Sequence, residues 1–533
     1  MTTFAAKATP SLEKLRGGYY TPEPIADFVS EWVAAAGGRL LEPSCGDGNI
    51  LTALARRSPR ALGIELIEDE ALRARERSGV EVVAADFFDW FDDAQQGAYD
   101  GVAGNPPYIR FGSWSDPGRE SALNLMRRHG LRPSKLTNAW VPFVIASILA
   151  VRDGGRVGLV LPAELLQVGY AGQLRRFIIE NSTAVSIVAF RELVFPGILQ
   201  EVVILLAERG SGPAEVRMHE VNRAAELKGL EVEAAQAVRA PLSDAEKWTK
   251  YFLSPIHLEL IRKVRSDERL RPVEEYASVD VGVVTGRNSF FVMTRGEARA
   301  RRLDDLTIPL VTRSAQVAGV MYSADDHARF EGREHPTLLL DARGVDPDEH
   351  PGLADYIRVG ESNEVHKGYK CRIRKDWWVV PSIWQADAFM LRQIHRHPRV
   401  TANQTEATST DTVHRIRMKG GVDARKFAVA ACNSVTFALT EVLGRSYGGG
   451  ILELEPSEAE ELRIPDPALV PDELIDIVDE LIRADRVEDA LDLVDRVVLT
   501  EIVGLVPDDV RAARKAWETL RDRRANRGTA KAA

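Results

Sequence analysis

The chain has 533 residues, 45% hydrophobic and 28% charged, a globular composition too long for one ordinary domain, so two or three domains are expected. No apolar run is long enough to span a bilayer, and the three cysteines, Cys45, Cys371 and Cys432, are too far apart for a disulfide framework or a zinc site. The net charge of −10 argues against a polyanionic partner only if it is spread evenly. It is not: residues 365–427 hold 13 Lys/Arg against 5 Asp/Glu, whereas residues 457–500 hold 4 against 14.

Residues 1–17 read as a polar leader without the charged-then-apolar pattern of a secretory signal, so a reducing, cytoplasmic compartment is expected. Gly17-Gly18-Tyr19-Tyr20-Thr21-Pro22 then opens an apolar-periodic stretch, Ile25, Phe28, Val29, Trp32 and Val33, flanked by Pro24 and Gly37-Gly38. This pattern predicts a helix. From Arg39 the chain reads Leu40-Leu41-Glu42-Pro43-Ser44-Cys45-Gly46-Asp47-Gly48-Asn49, a short strand and a glycine-rich bend, with a helix from Ile50 to about Arg57. Such a bend lets backbone approach a ligand, and the following helix start offers free N–H groups. Alone it fits any nucleotide cofactor, or none.

A second strand, Ala61 to Ile64, ends in Glu65, 23 residues after Glu42 and placed to bind ribose hydroxyls. A third, Val80 to Ala85, ends in Asp86-Phe87, a carboxylate able to accept from an adenine amino group beside an aromatic wall. Either acid alone also fits a solvated strand end. Tyr99 to Gly104 reads as a buried strand leading into Asn105-Pro106-Pro107-Tyr108, which places the tetrapeptide at the sheet edge where open α/β folds bind ligands. A nucleobase amino group is a poor nucleophile because its lone pair is delocalised, so a group that holds it must accept from both N–H groups. The Asn105 side-chain oxygen is one acceptor. The Pro106 carbonyl, fixed by Pro106 and Pro107, is the second, and Tyr108 offers a stacking face. A Pro-Pro turn with an incidental tyrosine is the competing reading.

Gly155 to Leu161 and Val185 to Phe190 read as strands, and Phe195-Pro196-Gly197 leads into another at Glu201 to Leu206. About seven strands alternate with helices by residue 209, which predicts a doubly wound, mostly parallel α/β sheet.

Tyr-Tyr-Thr-Pro at 19–22, Leu-Glu-Pro-Ser-Cys-Gly-Asp-Gly at 41–48, Glu65, Asp86-Phe87, Asn-Pro-Pro-Tyr at 105–108 and Phe195-Pro196, in that order, resemble the gamma-class adenine-N6 DNA methyltransferases of restriction–modification systems, TaqI type. The resemblance is close over residues 16–210 and looser beyond. It implies a seven-stranded class I S-adenosylmethionine-dependent domain. In such a domain Glu42 and the loop with Ser44, Cys45, Gly46 and Gly48 hold the methionine part, Glu65 the ribose, and Asp86 with Phe87 the adenine of the cofactor. Tyr20, Thr21 and Pro22 close over the cofactor. Asn105 and Pro106 accept from the target amino group, while Tyr108 and Phe195 hold the flipped base. Asn-Pro-Pro-Tyr also occurs in enzymes that methylate protein glutamine, so a protein-glutamine or RNA methyltransferase remains an alternative, as does an inactive specificity module.

The catalytic domain is expected over residues 1–245, with a linker near 243–252. A mixed α+β target-recognition domain is expected over 246–465. Val281 to Met293 reads as two β segments around a glycine turn and carries Arg287. Lys370, Arg372 and Arg374 interleave with Trp377 and Trp378, and Asn403 and Thr410 precede His414, Arg415 and Arg417. These basic and polar side chains are candidate phosphate and base-edge contacts on double-stranded DNA, whereas His395 and His397 read as surface residues. Ser446 to Gly450 reads as a tight turn before a strand. Residues 466–533 read as a helical segment with a disordered Arg-rich tail. A monomer without a metal is expected, with a separate cognate endonuclease implied by the family alone.

Overall fold

The computed structural model describes residues 21–526 apart from 115–116, 193, 196–200, 213, 236, 240–246 and 448–449. The leader with Tyr20, the Pro196 to Gln200 segment, the start of the linker and the C-terminal tail lie outside the described residues. The chain divides into two compact units, Met1–Ser254 and Pro255–Ala525.

Among the described residues, the first unit is built on one sheet of nine strands: β1 (Leu40–Glu42), β2 (Ala61–Glu65), β3 (Glu81–Ala84), β4 (Tyr99–Gly104), β5 (Val151–Pro162), β6 (Ser182–Phe190), β7 (Val202–Arg209), β8 (Glu215–Val221) and β9 (Val238–Arg239). Their order is β3-β2-β1-β4-β5-β7-β6-β8-β9. The β1, β2, β3, β4 and β5 pairings are parallel, and β7 runs antiparallel between β5 and β6. The seven strands expected by residue 209 are there, and two more follow. β8 pairs parallel with β6, and β9 closes the edge antiparallel to β8. β8 alternates polar and apolar residues, Glu215-Val-Arg-Met-His-Glu-Val221, with Val216, His219 and Val221 buried. That is the pattern of a half-covered strand near a sheet edge, less conspicuous in sequence than the continuous apolar runs of β4 or β7.

Helix α1 (Glu23–Ala34) buries Ile25, Ala26, Val29 and Val33, residues on one face. Helices α2 (Asn49–Ala55) and α3 (Glu68–Ser78) follow β1 and β2, and α4 (Arg119–Arg128) precedes α5 (Trp140–Ala150). All eleven residues of α5 are buried, as the unbroken run Trp-Val-Pro-Phe-Val-Ile-Ala-Ser-Ile-Leu-Ala demands.

The second unit mixes short sheets with helices. Its largest sheet places the strands in the order 277–280, 413–418, 388–391, 400–403 and 321–322. Helices Glu473–Arg483, Val487–Val494 and Pro507–Ala525 belong to this same unit, because the last one packs on Ser434–Leu443 with Trp517 edge-on to Phe437. The Val281 to Met293 stretch differs from the two β segments expected. A strand ends at Asp280, Val283 bridges to Thr410, and Asn288–Phe291 is a helical turn before the strand Val292–Met293. The Thr285 hydroxyl meets Asn288 Oδ1 at 2.5 Å and accepts from the Arg287 N–H at 3.1 Å, local bonds that favour a turn over a ladder.

Candidate active site and nucleic-acid interface

The order β3-β2-β1-β4 brings the C-terminal ends of four parallel strands side by side, with neighbouring strands about 4.8 Å apart. Asp86, Glu65, the Ser44–Gly48 loop and Asn105 follow those ends in that sequence. β1 and β4 lie next to one another at the point where strand order reverses, the position at which such sheets take ligands. The two loops there are in contact: a Cβ on Gly104 would lie 3.3 Å from Pro43 Cδ.

On the β1 side, Gly46 has φ +52 and Gly48 φ +88, the left-handed region that favours glycine. A Cβ on Gly48 would lie 2.9 Å from Ala74 Cα, so α3 closes against this loop, whereas a Cβ on Gly46 would meet nothing within 4 Å. Glu65 pins the loop by accepting from the Gly46 N–H at 2.8 Å and from the Ile67 N–H at 3.0 Å. Glu42 is buried, and its Oε2 and the Ser44 hydroxyl find no partner among the described residues. Burial, then the neighbouring Glu65, push the Glu42 carboxyl well above the usual range, against a hydrogen bond from the Leu51 backbone. Burial also raises Glu65. Cys45 is buried with its thiol pushed up by burial and by Glu42, and it acts as packing. A buried carboxylate oxygen without a partner is costly unless a cationic group completes it, so the donor set fits a ligand carrying an ammonium beside hydroxyls.

Asp86 caps the one-turn helix Phe87–Trp90 by accepting from the Phe88 N–H at 2.9 Å, and also accepts from the Gly118 N–H at 3.0 Å. Phe87 is buried and stacked on Phe143 with ring centroids 5.3 Å apart. The ring expected to face a cofactor base is thus packed into the aromatic core beside Asp86.

At β4, Asn105 Nδ2 donates to Thr21 Oγ1 at 3.1 Å, and its Oδ1 accepts from the Tyr108 hydroxyl at 2.8 Å. That hydroxyl also lies 3.1 Å from the Val160 carbonyl on β5. The carboxamide is thus oriented from both sides, and Pro22 starts α1 immediately after Thr21. Tyr108 packs against the apolar cluster that contains Phe195. Phe195 itself is 3% exposed, a core residue and not an open face for a base.

A second polar group at this edge escaped sequence reasoning. The Tyr170 hydroxyl donates to Glu164 Oε2 at 2.6 Å and accepts from Asn138 Nδ2 at 2.9 Å. Ala139 N–H donates to the carbonyl of Ile109, next to Tyr108, at 2.9 Å. Its only sequence signal is that Glu164 follows the end of a buried strand. The remaining members lie 26 and 6 residues from Glu164 and carry no motif.

In the second unit the candidate DNA contacts separate into two groups. Arg287, Lys370, Arg372 and Arg417 are exposed. A Cβ on Gly286 would lie 2.7 Å from Lys370 Cβ, so the Arg287 loop and the Tyr369–Arg372 helical turn form one surface. The others serve the fold. His414 is fully buried and bonds the Leu454 carbonyl at 2.7 Å. Thr410 is buried against the Thr312 carbonyl, and Asn403 donates to the carbonyls of Ala386 and Ala407. Arg415, 4% exposed, donates to the carbonyls of Val281 and Ser382, and Arg374 to those of Val284 and Thr285. Trp384 lies under both Arg415 and Arg417 at 4.2 and 4.4 Å. His395 is exposed, as expected, but His397 is half-buried and stacks on Phe437.

Residues 62–195 match the Eco57I restriction-modification methylase family, and residues 245–499 match the family described as Type II methyltransferase M.Eco57I, C-terminal domain. The chain is 21% identical to the Type II methyltransferase M.AccI of Acinetobacter calcoaceticus, covering 83% of both chains. It is 23% identical to M.XamI of Xanthomonas campestris pv. amaranthicola, covering 84% of this chain and 85% of the relative. The Type IIL restriction-modification enzyme MmeI, solved in complex with DNA, shares the fold at TM-score 0.57 and 11% identity over 96% of this chain and 76% of that one. The first match contains the tetrapeptide and the second contains the basic stretch 365–427, and this chain belongs to the Eco57I-type DNA methyltransferases of restriction–modification systems.

Proposed function

We propose that this methyltransferase moves a methyl group from S-adenosylmethionine to the N6 amino group of an adenine flipped out of double-stranded DNA. The observation that carries the reading is the Asn105 carboxamide, fixed by Thr21 and Tyr108 at the end of β4 beside the Ser44–Gly48 loop. When bound, the cofactor supplies an electrophilic sulfonium methyl group. Glu42 Oε2 receives its ammonium, Glu65 its ribose hydroxyls, and Asp86 its adenine amino group. Asn105 Oδ1 and the Pro106 carbonyl accept from the two target N–H groups, with the Tyr108 hydroxyl turning to Val160. Holding both N–H groups while charge develops on nitrogen is an orientation and electrostatic contribution. Extrusion of the base costs a few kcal/mol, to be offset by contacts of the kind Tyr108 offers.

The deciding experiment incubates the chain with radiolabelled S-adenosylmethionine and unmethylated genomic DNA, followed by nucleoside analysis and site mapping. Label in N6-methyladenine at one short motif is expected. Label in RNA or protein instead would transfer the assignment to the glutamine or RNA reading. The proposal includes a monomeric enzyme and a separate endonuclease that reads the same site.

Two further results follow from charges. Glu42 is raised in the folded apoprotein, so ionising it costs stability that is fully present below its unfolded pKa and lost as pH rises towards the folded value. An ammonium ligand favours the carboxylate, so binding releases a proton and affinity rises with pH across that window. Calorimetry in buffers of different ionisation enthalpy measures the proton count, and Glu42→Gln should abolish it. Separately, Arg287, Lys370 and Arg372 are in no ion pair among the described residues. Lys370→Ala and Arg372→Ala should each flatten the dependence of log affinity on log salt by about 0.9 and weaken all sequences alike. Unchanged salt slopes would return these residues to ordinary surface.

A further inference from the structure

Leu136 is 68% exposed on the first unit, in the loop that leads from α4 into α5. A lone exposed leucine is ordinary, but three features set this one apart. Its turn is locked: Ser134 N–H donates to Thr137 Oγ1 at 2.9 Å, Thr137 N–H to the Ser134 carbonyl at 3.0 Å, and Leu136 N–H to Ser134 Oγ at 3.2 Å. Thr137 is itself buried, which anchors the turn to the core. The turn is also tied to the catalytic edge, because Ala139 N–H bonds the Ile109 carbonyl, one residue past Tyr108. Finally, Arg132 and Lys135 in the same loop, and Arg110 next to Ile109, are exposed and are in no ion pair among the described residues. The acid of this neighbourhood, Glu164, is engaged by Tyr170 and Asn138.

We propose that this turn docks on the duplex at the target site and that Leu136 enters the base stack where the adenine leaves it. The inference rests on the DNA-methylation reading above. Cations without partners suit phosphates, and a rigid apolar tip between them suits the unstacked space, since apolar side chains wedged between base steps stabilise distorted duplexes. A flexible or paired tip would lose that gain to ordering and desolvation. The position next to the tetrapeptide places the tip at the edge through which an extruded base must pass. Leu136 is thus a positioning residue, separate from Asn105 and Tyr108, which meet the base after extrusion.

The test uses the full chain and a duplex carrying the site found by methylation mapping. Leu136→Ala should slow single-turnover methylation about 10-fold or more and lower the fluorescence of 2-aminopurine placed at the target, with cofactor affinity and salt slope unchanged. A duplex with an abasic site opposite the target, already unstacked, should restore the variant to within about twofold of the wild type. Lys135→Ala should show the reverse split, weaker binding with a smaller salt slope and a single-turnover defect that saturating DNA relieves. A wild-type rate for Leu136→Ala on intact duplex, or an equal defect on the abasic duplex, would overturn the wedge. If the wild type itself places no label in DNA, the DNA reading falls and the wedge with it.

Discussion

Asn105→Ala should lower turnover on the order of 100-fold or more while leaving cofactor affinity and folding intact. Removing one polar group that meets developing charge in a preorganised site costs about 2.7–4 kcal/mol, and here the group is held on both sides. Thr21 Oγ1 accepts from Nδ2, and Tyr108 donates to Oδ1. The first contact defines which end of the amide faces the substrate, so Oδ1 is pointed before substrate arrives. Because the lost interaction belongs to the transition state, kcat and kcat/KM should fall together. Thr21→Val removes the acceptor of Nδ2 and keeps Asn105 Oδ1, but frees the amide to rotate, and its loss should be smaller, about 10-fold. Single-turnover methyl transfer to a mapped site measures both, and near-normal rates for Asn105→Ala would sink the catalytic assignment.

The strand ends that gather the candidate site were legible in sequence because their parts are local. Each acid follows a short apolar run that ends in a turn, and parallel strands buried on both faces produce such runs directly. The bonds that orient the site were not legible, since Thr21 and Asn105 are 84 residues apart and Tyr108 meets Val160 across 52. The second unit misled for a related reason. Val413–Met418 lies inside its sheet, between strands 277–280 and 388–391, so His414 and Arg415 are buried despite their polarity. Their partners, the Leu454 and Val281 carbonyls, lie 40 and 134 residues away. A polar side chain is read from sequence as exposed unless its distant acceptor is known. The resemblance also assigns Phe195 to the flipped base, whereas Phe195 lies in the core against which Tyr108 packs.

Arg524→Ala should destabilise the second unit by about 3–5 kcal/mol, the range for removing one partner of a buried ion pair. Arg524 and Glu441 side chains are each 2% exposed. The guanidinium donates to both Glu441 oxygens, at 3.0 and 2.7 Å. It also donates to the carbonyls of Ile394 and His395, at 3.2 and 2.9 Å, and to that of Gly450. One side chain near the end of helix Pro507–Ala525 thus joins the helix Ser434–Leu443 to segments around residues 394 and 450. Alanine would leave a buried carboxylate and three carbonyls without their donor. The double variant Arg524→Met with Glu441→Leu removes both charges and should recover much of the loss, because a well-packed apolar pair often replaces a buried ion pair at little cost. Urea unfolding of the full chain measures all three proteins. If Arg524→Ala unfolds within about 1 kcal/mol of the wild type, the last turn of the helix frays in solution and the pair contributes little. If the double variant is as weak as the single one, the carbonyls matter more than the carboxylate, and the arginine is chiefly a clamp on backbone.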